Sequence, residues 1–183
     1  MSDSTETEPP DAPAPELPLA SFEPLITSRY GIEDARKLAV AEANGAYRTA
    51  RRALMSMEPA AIREEVKKAS LRGRGGAGFP AGIKWGFLNP QEGERVYLVI
   101  NADESEPGTF KDRTIMNVDP HRLLEGILIT CYAIGAHTCY IYVRGELAHS
   151  IAILDEAIAE AREKGDIGEK PFGKPHPIEI YTH

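Results

Sequence analysis

Three short runs of strand-forming residues, held apart by long helical patterns, most narrow what this chain can fold into. They are VYLVI at 96–100, TCYIYV at 138–143 and PIEIYT at 177–182. Between the first two, Asp119-Pro120 supplies an N-cap and a first-turn proline for HRLLEGILITCYAIGA. Between the second and third, HSIAILDEAIAEAREK places Ile151, Leu154 and Ile158 at helical spacing and stops at Gly165. A β-α-β-α-β order of this kind predicts an α/β fold with a parallel sheet and right-handed crossovers. The first run is apolar without interruption, which predicts a strand buried on both faces.

Upstream, residues 24–70 read as a helical segment. ARKLAVAEAN and GAYRTARRALM are followed by a helix opened at Pro59, on which Ile62 and Val66 give one apolar face. Residues 1–23 form an acidic, Pro-rich tail with too little apolar surface to offset ordering entropy, so disorder is expected there. Six acids and no Lys or Arg fall in residues 1–24, leaving 22 acids against 21 bases in the rest. The body is therefore near neutral and shows no basic face of the kind a nucleic-acid reader needs. No apolar stretch reaches the roughly 18 residues that span a bilayer. An acidic start is the opposite of a signal peptide, which predicts a cytoplasmic protein. Cys131 and Cys139 match no common metal-ligand spacing and read as buried thiols in a helix and a strand. His121, His137, His149, His176 and His183 show no ligand spacing and no nucleophile partner, so no chemistry is assigned to them.

The third segment begins at residue 71, with LRGRGGAGFPAGIKW. Gly73, Gly75, Gly76, Gly78 and Gly82 lie within ten residues, with Arg74 among them and Lys84 just beyond. Gly73-x-Gly75-x-x-Gly78 formally fits a dinucleotide fingerprint, but a helix precedes it where a strand should, and Pro80 with Gly82 is expected to obstruct a helix after it. Two readings fit: a linker between helical layer and sheet, or a backbone cradle over a ligand. Phe79, Trp85 and Phe87 favour the cradle, since a flexible linker would be polar. Phe79 and Phe87 either pack on the sheet or stack on a ligand ring. Lys84 offers a cation for a phosphate or a polyol.

Beyond the first strand comes N-A-D-E-S-E-P-G, with Asn101, Asp103, Glu104 and Glu106 at the strand's C-terminal end, where open α/β sheets bind ligands. Asn offers donor and acceptor together, which suits a uracil-like ring edge, and carboxylates accept from ring N–H or ribose hydroxyls. Asp103 and Glu106 can equally cap the turn closed by Pro107-Gly108, and clustered oxygens also suit Mg²⁺ or Ca²⁺. Arg144, after the second strand, reads as a structural ion pair facing the same crevice. Together the two stretches point to a large, flat, phosphorylated cofactor.

LRGRGGAGFPAGIKW followed by NADESEPGTFKDR closely resembles the NADH-binding flavoprotein of respiratory complex I, its F subunit or 51 kDa subunit, over about residues 24–183. The resemblance implies a Rossmann-like FMN/NADH-binding domain, incomplete over residues 71–183. It implies hydride transfer from NADH to FMN, with electrons passed to iron–sulfur clusters and ultimately quinone. Cofactor contacts carried over are Gly73, Arg74, Gly75, Gly76, Gly78, Lys84, Asn101, Asp103 and Glu104. The NADH face carried over is Phe79, Phe87 and Glu106, with Glu106 the catalytic candidate as a charge that tunes the flavin and NADH affinity.

The resemblance further implies complex I peripheral-arm partners, above all a thioredoxin-like [2Fe-2S] subunit, and attachment to the inner face of the cell membrane without insertion. The family continues with a Y-I-C-G-E-E loop, phosphate-binding residues, a ubiquitin-like domain and a four-cysteine [4Fe-4S] domain, none of which occurs here. Weak or absent FMN binding by this chain alone is therefore expected. Alternatives are the diaphorase subunit of an NAD-reducing hydrogenase or NAD-dependent formate dehydrogenase, and a non-catalytic interaction module. The C subunit of the ion-pumping Rnf complex shares a GGAGFP-and-lysine loop, but the full N-A-D-E-S-E-P-G string disfavours it.

Overall fold

The structure is a computed structural model that describes residues 23–183. Residues 1–22, and with them the expected disordered tail, lie outside the described residues. Seven helices occur in the described part: α1 (Leu38–Ala43), α2 (Arg48–Ser56), α3 (Pro59–Lys68), α4 (Ala81–Gly86), α5 (Lys111–Val118), α6 (Pro120–Ile134) and α7 (Ala148–Lys164). Three strands, β1 (Val96–Ala102), β2 (Ala136–Val143) and β3 (Glu179–Thr182), form one parallel sheet in the order β1-β2-β3.

Local chemistry explains the boundaries. Asp119 caps α6 by accepting from the Arg122 amide at 3.3 Å, and Pro120 fills a first-turn position that needs no N–H. Gly135 and Gly165 end α6 and α7 in left-handed backbone, which costs a residue without Cβ little. Two helices escape the sequence pattern. Pro80, expected to help obstruct a helix, is the N-cap of α4, where its fixed φ helps entry. Gly82, the other expected obstruction, is required instead: a Cβ there would lie 2.7 Å from the Cα of Lys67 in α3. The second such helix, α5, is short and polar, and its start is held by tertiary contacts described below.

Helix α6 is sandwiched. It packs on β1 and β2 from one side and on α2 and α3 from the other, so residues on opposite faces such as Leu124 and Ala133 are both buried. Helix α7 lies beside it over β3. Cys139, Ile141, Val143 and Ile180 point into this core, and both cysteines are buried free thiols. The N-terminal segment is tied on by a buried pair, with Arg29 Nε and Nη2 donating to Asp119 Oδ2 at 2.9 Å and Oδ1 at 2.7 Å.

The expectation that β1 is buried on both faces is wrong. Its residues alternate, with Tyr97 49% and Val99 63% exposed, and Tyr140, Tyr142 and Tyr181 extend the open face across β2 and β3. The tyrosine rings of 97, 140 and 181 stack in a row, with centroids 6.5 and 5.8 Å apart. The cause is topological. Two right-handed crossovers that advance in the same direction place α6 and α7 on one face, and no described element returns to cover the other.

Candidate functional site

Parallel pairing brings the C-terminal ends of β1 and β2 to the same edge, with Asn101 opposite Tyr142 and Ala102 opposite Val143. The glycine-rich segment approaches that edge as a small hairpin. An isolated antiparallel bridge joins Arg72 to Pro80, the Gly73 amide donates to Phe79 O at 2.9 Å, and the Ala81 amide donates to Leu71 O at 2.8 Å. Gly76 (φ +109°) and Gly78 (φ +62°) take backbone conformations that other residues avoid. The segment is therefore an ordered loop, neither a linker nor the strand-to-helix turn of a dinucleotide fingerprint.

The hairpin and the β1 end enclose a cleft of about 660 Å³. Arg74, Gly75 and Gly76 form one wall, and Asn101, Asp103, Glu104, Ser105 and Glu106 form the other. Thr109, Lys111 and Asp112 close it; sequence reasoning missed these three together with α5, on which the last two lie. The only signal available was the turn at Pro107-Gly108, with Gly108 at φ +79°, which folds the chain back over the strand end.

The wall on β1 is organised by its own polar groups. Asn101 Oδ1 accepts from the Asp103 amide at 2.9 Å, leaving its NH₂ without a protein partner among the described residues. Ser105 Oγ donates to Asp103 Oδ1 at 2.6 Å. Glu104 accepts from the Asp112 amide at 2.9 Å and the Arg113 amide at 3.1 Å, so it caps the start of α5. Burial pushes the Glu104 carboxyl up, but the two amides and the charges of Lys111 and Arg113 together hold it below its ordinary value. The capping carboxylate is thus Glu104, and it caps α5 rather than the Pro107-Gly108 turn for which Asp103 and Glu106 offer an alternative reading. Arg144 pairs with Glu146 at 3.1 Å, as an ion-pair reading of it anticipates.

Not every expected site residue reaches this cleft. Lys84 stands exposed on α4, and Gly73 and Gly78 belong to the hairpin stem rather than the lining. Phe79 and Phe87 pair with each other, centroids 6.0 Å apart, and both remain substantially exposed outside the cleft lining. They do not pack on the sheet. Among the described residues no group of three or more His, Cys, Asp or Glu side chains is arranged to hold a metal ion. No described helix is long and apolar enough to cross a membrane.

The chain is similar to known proteins. A family model described as "Nuo51 FMN-binding domain" matches residues 66–181. The second of the NADH-quinone oxidoreductase F subunits of Rhizobium meliloti (strain 1021) is 48% identical over 162 residues, covering 88% of this chain and 38% of the relative. The NADH-quinone oxidoreductase F subunit of Aquifex aeolicus (strain VF5) is 52% identical over 139 residues, covering 76% and 32%. A crystal structure of an NAD+-reducing [NiFe]-hydrogenase in the air-oxidized state superposes with a TM-score of 0.61 at 32% identity, over 87% of this chain and 24% of that one. The chain thus spans less than two fifths of the curated relatives it matches. With its glycine hairpin and acidic strand end inside the matched region, the chain belongs to the Nuo51 FMN-binding domain family, that of the NADH-quinone oxidoreductase F subunits.

Proposed function

We propose that this cleft is the flavin-side half of an NADH-oxidising site. The observation that carries the reading is the convergence of Arg74, Gly75 and Gly76 with Asn101, Asp103 and Glu106 on one cleft of about 660 Å³. The donor set fits FMN. The free NH₂ of Asn101 and the Asp103 carboxylate match the alternating acceptor and donor edge of the flavin pyrimidine ring. Backbone N–H groups at Gly75 and Gly76, with Arg74 beside them, suit the polyol and phosphate end. Four carboxylates against Arg74 and Lys111 line the cleft, so a phosphate is tolerated only at the Arg74 end.

Bound FMN supplies the chemistry that accepts two electrons together and releases them singly. The chain's own part is to bind and orient. Glu106 lines the cleft and places a negative charge beside the ring site, raising the cost of adding electrons there. Phe79 and Phe87, exposed beside the hairpin, offer an apolar platform for the nicotinamide nucleotide. In this reading the protein works with other complex I subunits, a thioredoxin-like [2Fe-2S] subunit among them, at the inner face of the membrane, and passes electrons toward quinone. The hydrogenase likeness favours a second reading, a diaphorase subunit, at 32–35% identity against 48–52% for the complex I relatives.

The test is FMN titration followed by flavin fluorescence. It is run with the chain alone and with a second polypeptide matching the part of the Rhizobium meliloti relative that this chain does not cover. Saturable one-to-one quenching is expected in the mixture, weaker in the chain alone, and weakened about tenfold or more by Asn101→Ala. Absence of saturation in both samples, or an Asn101→Ala variant that binds like the parent, overturns the reading.

A further inference from the structure

Arg144 does not line the cleft, yet it holds the wall that does. It leaves the end of β2 and sends its guanidinium back across the sheet edge to the loop after β1. Nη1 donates to the carbonyl of Glu104 at 3.2 Å, Nη2 donates to Glu146 Oε1 at 3.1 Å, and Nε lies 3.9 Å from Asp103 Oδ1. On its other side the same loop is held through the Glu104 carboxylate, both of whose oxygens are taken by the first amides of α5. Residue 104 is therefore gripped twice, by its backbone from β2 and by its side chain from α5. Asp103 is the residue immediately before this doubly held one.

From this geometry we infer that Arg144 is a positioning residue, which with the Glu104 carboxylate forms a strap that aims Asn101 and Asp103 into the cleft, Arg144 itself lying outside the lining. The inference deepens the flavin reading above and rests on it. It also adds to the role of Glu104, which the family resemblance implies as a cofactor contact. With both carboxylate oxygens accepting from α5, its side chain holds the loop as well as lining the cleft. Arg suits 144 because its planar fork donates to two acceptors in fixed directions while its charge stays beside Asp103, whereas the ammonium of Lys is a compact charge on a flexible stem. The strap orders a loop that is otherwise held by short-range hydrogen bonds, those of Asn101 and Ser105, of the Glu104 amide to Ala102 O and of Thr109 to Glu106 O.

The experiment compares the full chain with Arg144→Lys, Glu104→Gln and Glu146→Gln. Three readouts are taken: thermal melting, hydrogen exchange of the amides at 103–113, and FMN titration with the complementing polypeptide present. For Arg144→Lys the melting transition is expected to stay in place while exchange at 103–106 accelerates and FMN affinity falls about tenfold. Glu104→Gln is expected to loosen 111–113 as well, because an amide retains only one of the two acceptors. Glu146→Gln, which leaves both grips on the loop, should change FMN affinity by less than about threefold.

An Arg144→Lys protein with parental exchange and parental FMN affinity overturns the proposal. So does a loss of FMN affinity that scales with lost melting temperature across all three variants, since that is what a purely structural role produces. Should the parent bind no FMN in any mixture, the flavin reading fails by itself. The exchange measurement still decides whether the strap exists.

Discussion

Gly82 and His121 show how single residues act through their neighbours. A methyl group at Gly82 would collide with backbone, the Cα and amide nitrogen of Lys67 at 2.7 Å, which cannot swing aside as a side chain can. Gly82→Ala should therefore cost about 1–3 kcal/mol in urea unfolding, despite raising helix propensity in α4. His121 is wholly buried, with the Tyr47 hydroxyl 2.9 Å from Nδ1 and Glu160 Oε2 3.5 Å from Nε2. Burial lowers the ring's pKa, and the nearby charges of Glu160 and Asp119 only partly oppose it. The unfolded chain then takes up a proton at about 6.5, before the folded chain does. The stability that neutral His121 contributes is complete above that pH and declines as the pH falls through 6.5 toward the folded value. Melting temperature should drop between pH 7.5 and 5.5, and His121→Gln should flatten that slope.

Among the elements, α6 carries the most. Its N-terminus is the meeting point of the N-terminal segment, through Arg29, and of the cap on its own first turn, through the same Asp119 carboxylate. Replacing Asp119 by Ala removes the cap and strands a guanidinium whose side chain is only 3% exposed. A loss of about 3–5 kcal/mol is expected by chemical denaturation. Adding Arg29→Met to Asp119→Ala should recover part of it, because no buried charge is then left unpaired. The helix α5 behaves oppositely. Its sequence, KDRTIMNV, is a weak helix former, and its start depends on Glu104 from across the cleft. Order in α5 and order in the cleft wall should therefore rise and fall together, which the exchange measurement above reads directly.

At the scale of the whole molecule, the chain is built from one side. All described helices that contact the sheet in number do so on the α6–α7 face, while Val99, Tyr97, Tyr140, Tyr142 and Tyr181 leave the other face open. A parallel sheet bare on one face is unusual, and a contiguous aromatic patch of this kind favours association. Val99→Lys with Tyr140→Lys should raise solubility and cut the binding of an apolar fluorescent dye. Val99→Lys should shift folding stability by no more than about 0.5 kcal/mol, and Tyr140→Lys by about 1–2 kcal/mol through the loss of its stacks on Tyr97 and Tyr181. A large loss of stability would mean that the face is covered in solution by another surface.

The sequence by itself determined what depends on near neighbours along the chain. The three strands and the α6 and α7 helices followed from apolar spacing, Asp119-Pro120 and the glycine stops. The parallel sheet followed from their alternation, and the Asn101–Glu106 wall from its place at a strand end. Both cysteines could be read as buried because their surroundings are apolar on either side. Tertiary structure alone decided what depends on distant partners. An unbroken apolar run such as VYLVI reads the same whether one face or both are covered, since coverage is set by the direction in which successive crossovers advance. Lys84, Phe79 and Phe87 lie close in sequence to the glycines that line the cleft, yet none of the three is part of the lining. Lys111 and Asp112 carry no local mark of a site and join it only because Glu104 anchors their helix there. Hydrophobic pattern and capping are encoded within a few residues, whereas a cleft is an agreement between segments tens of residues apart.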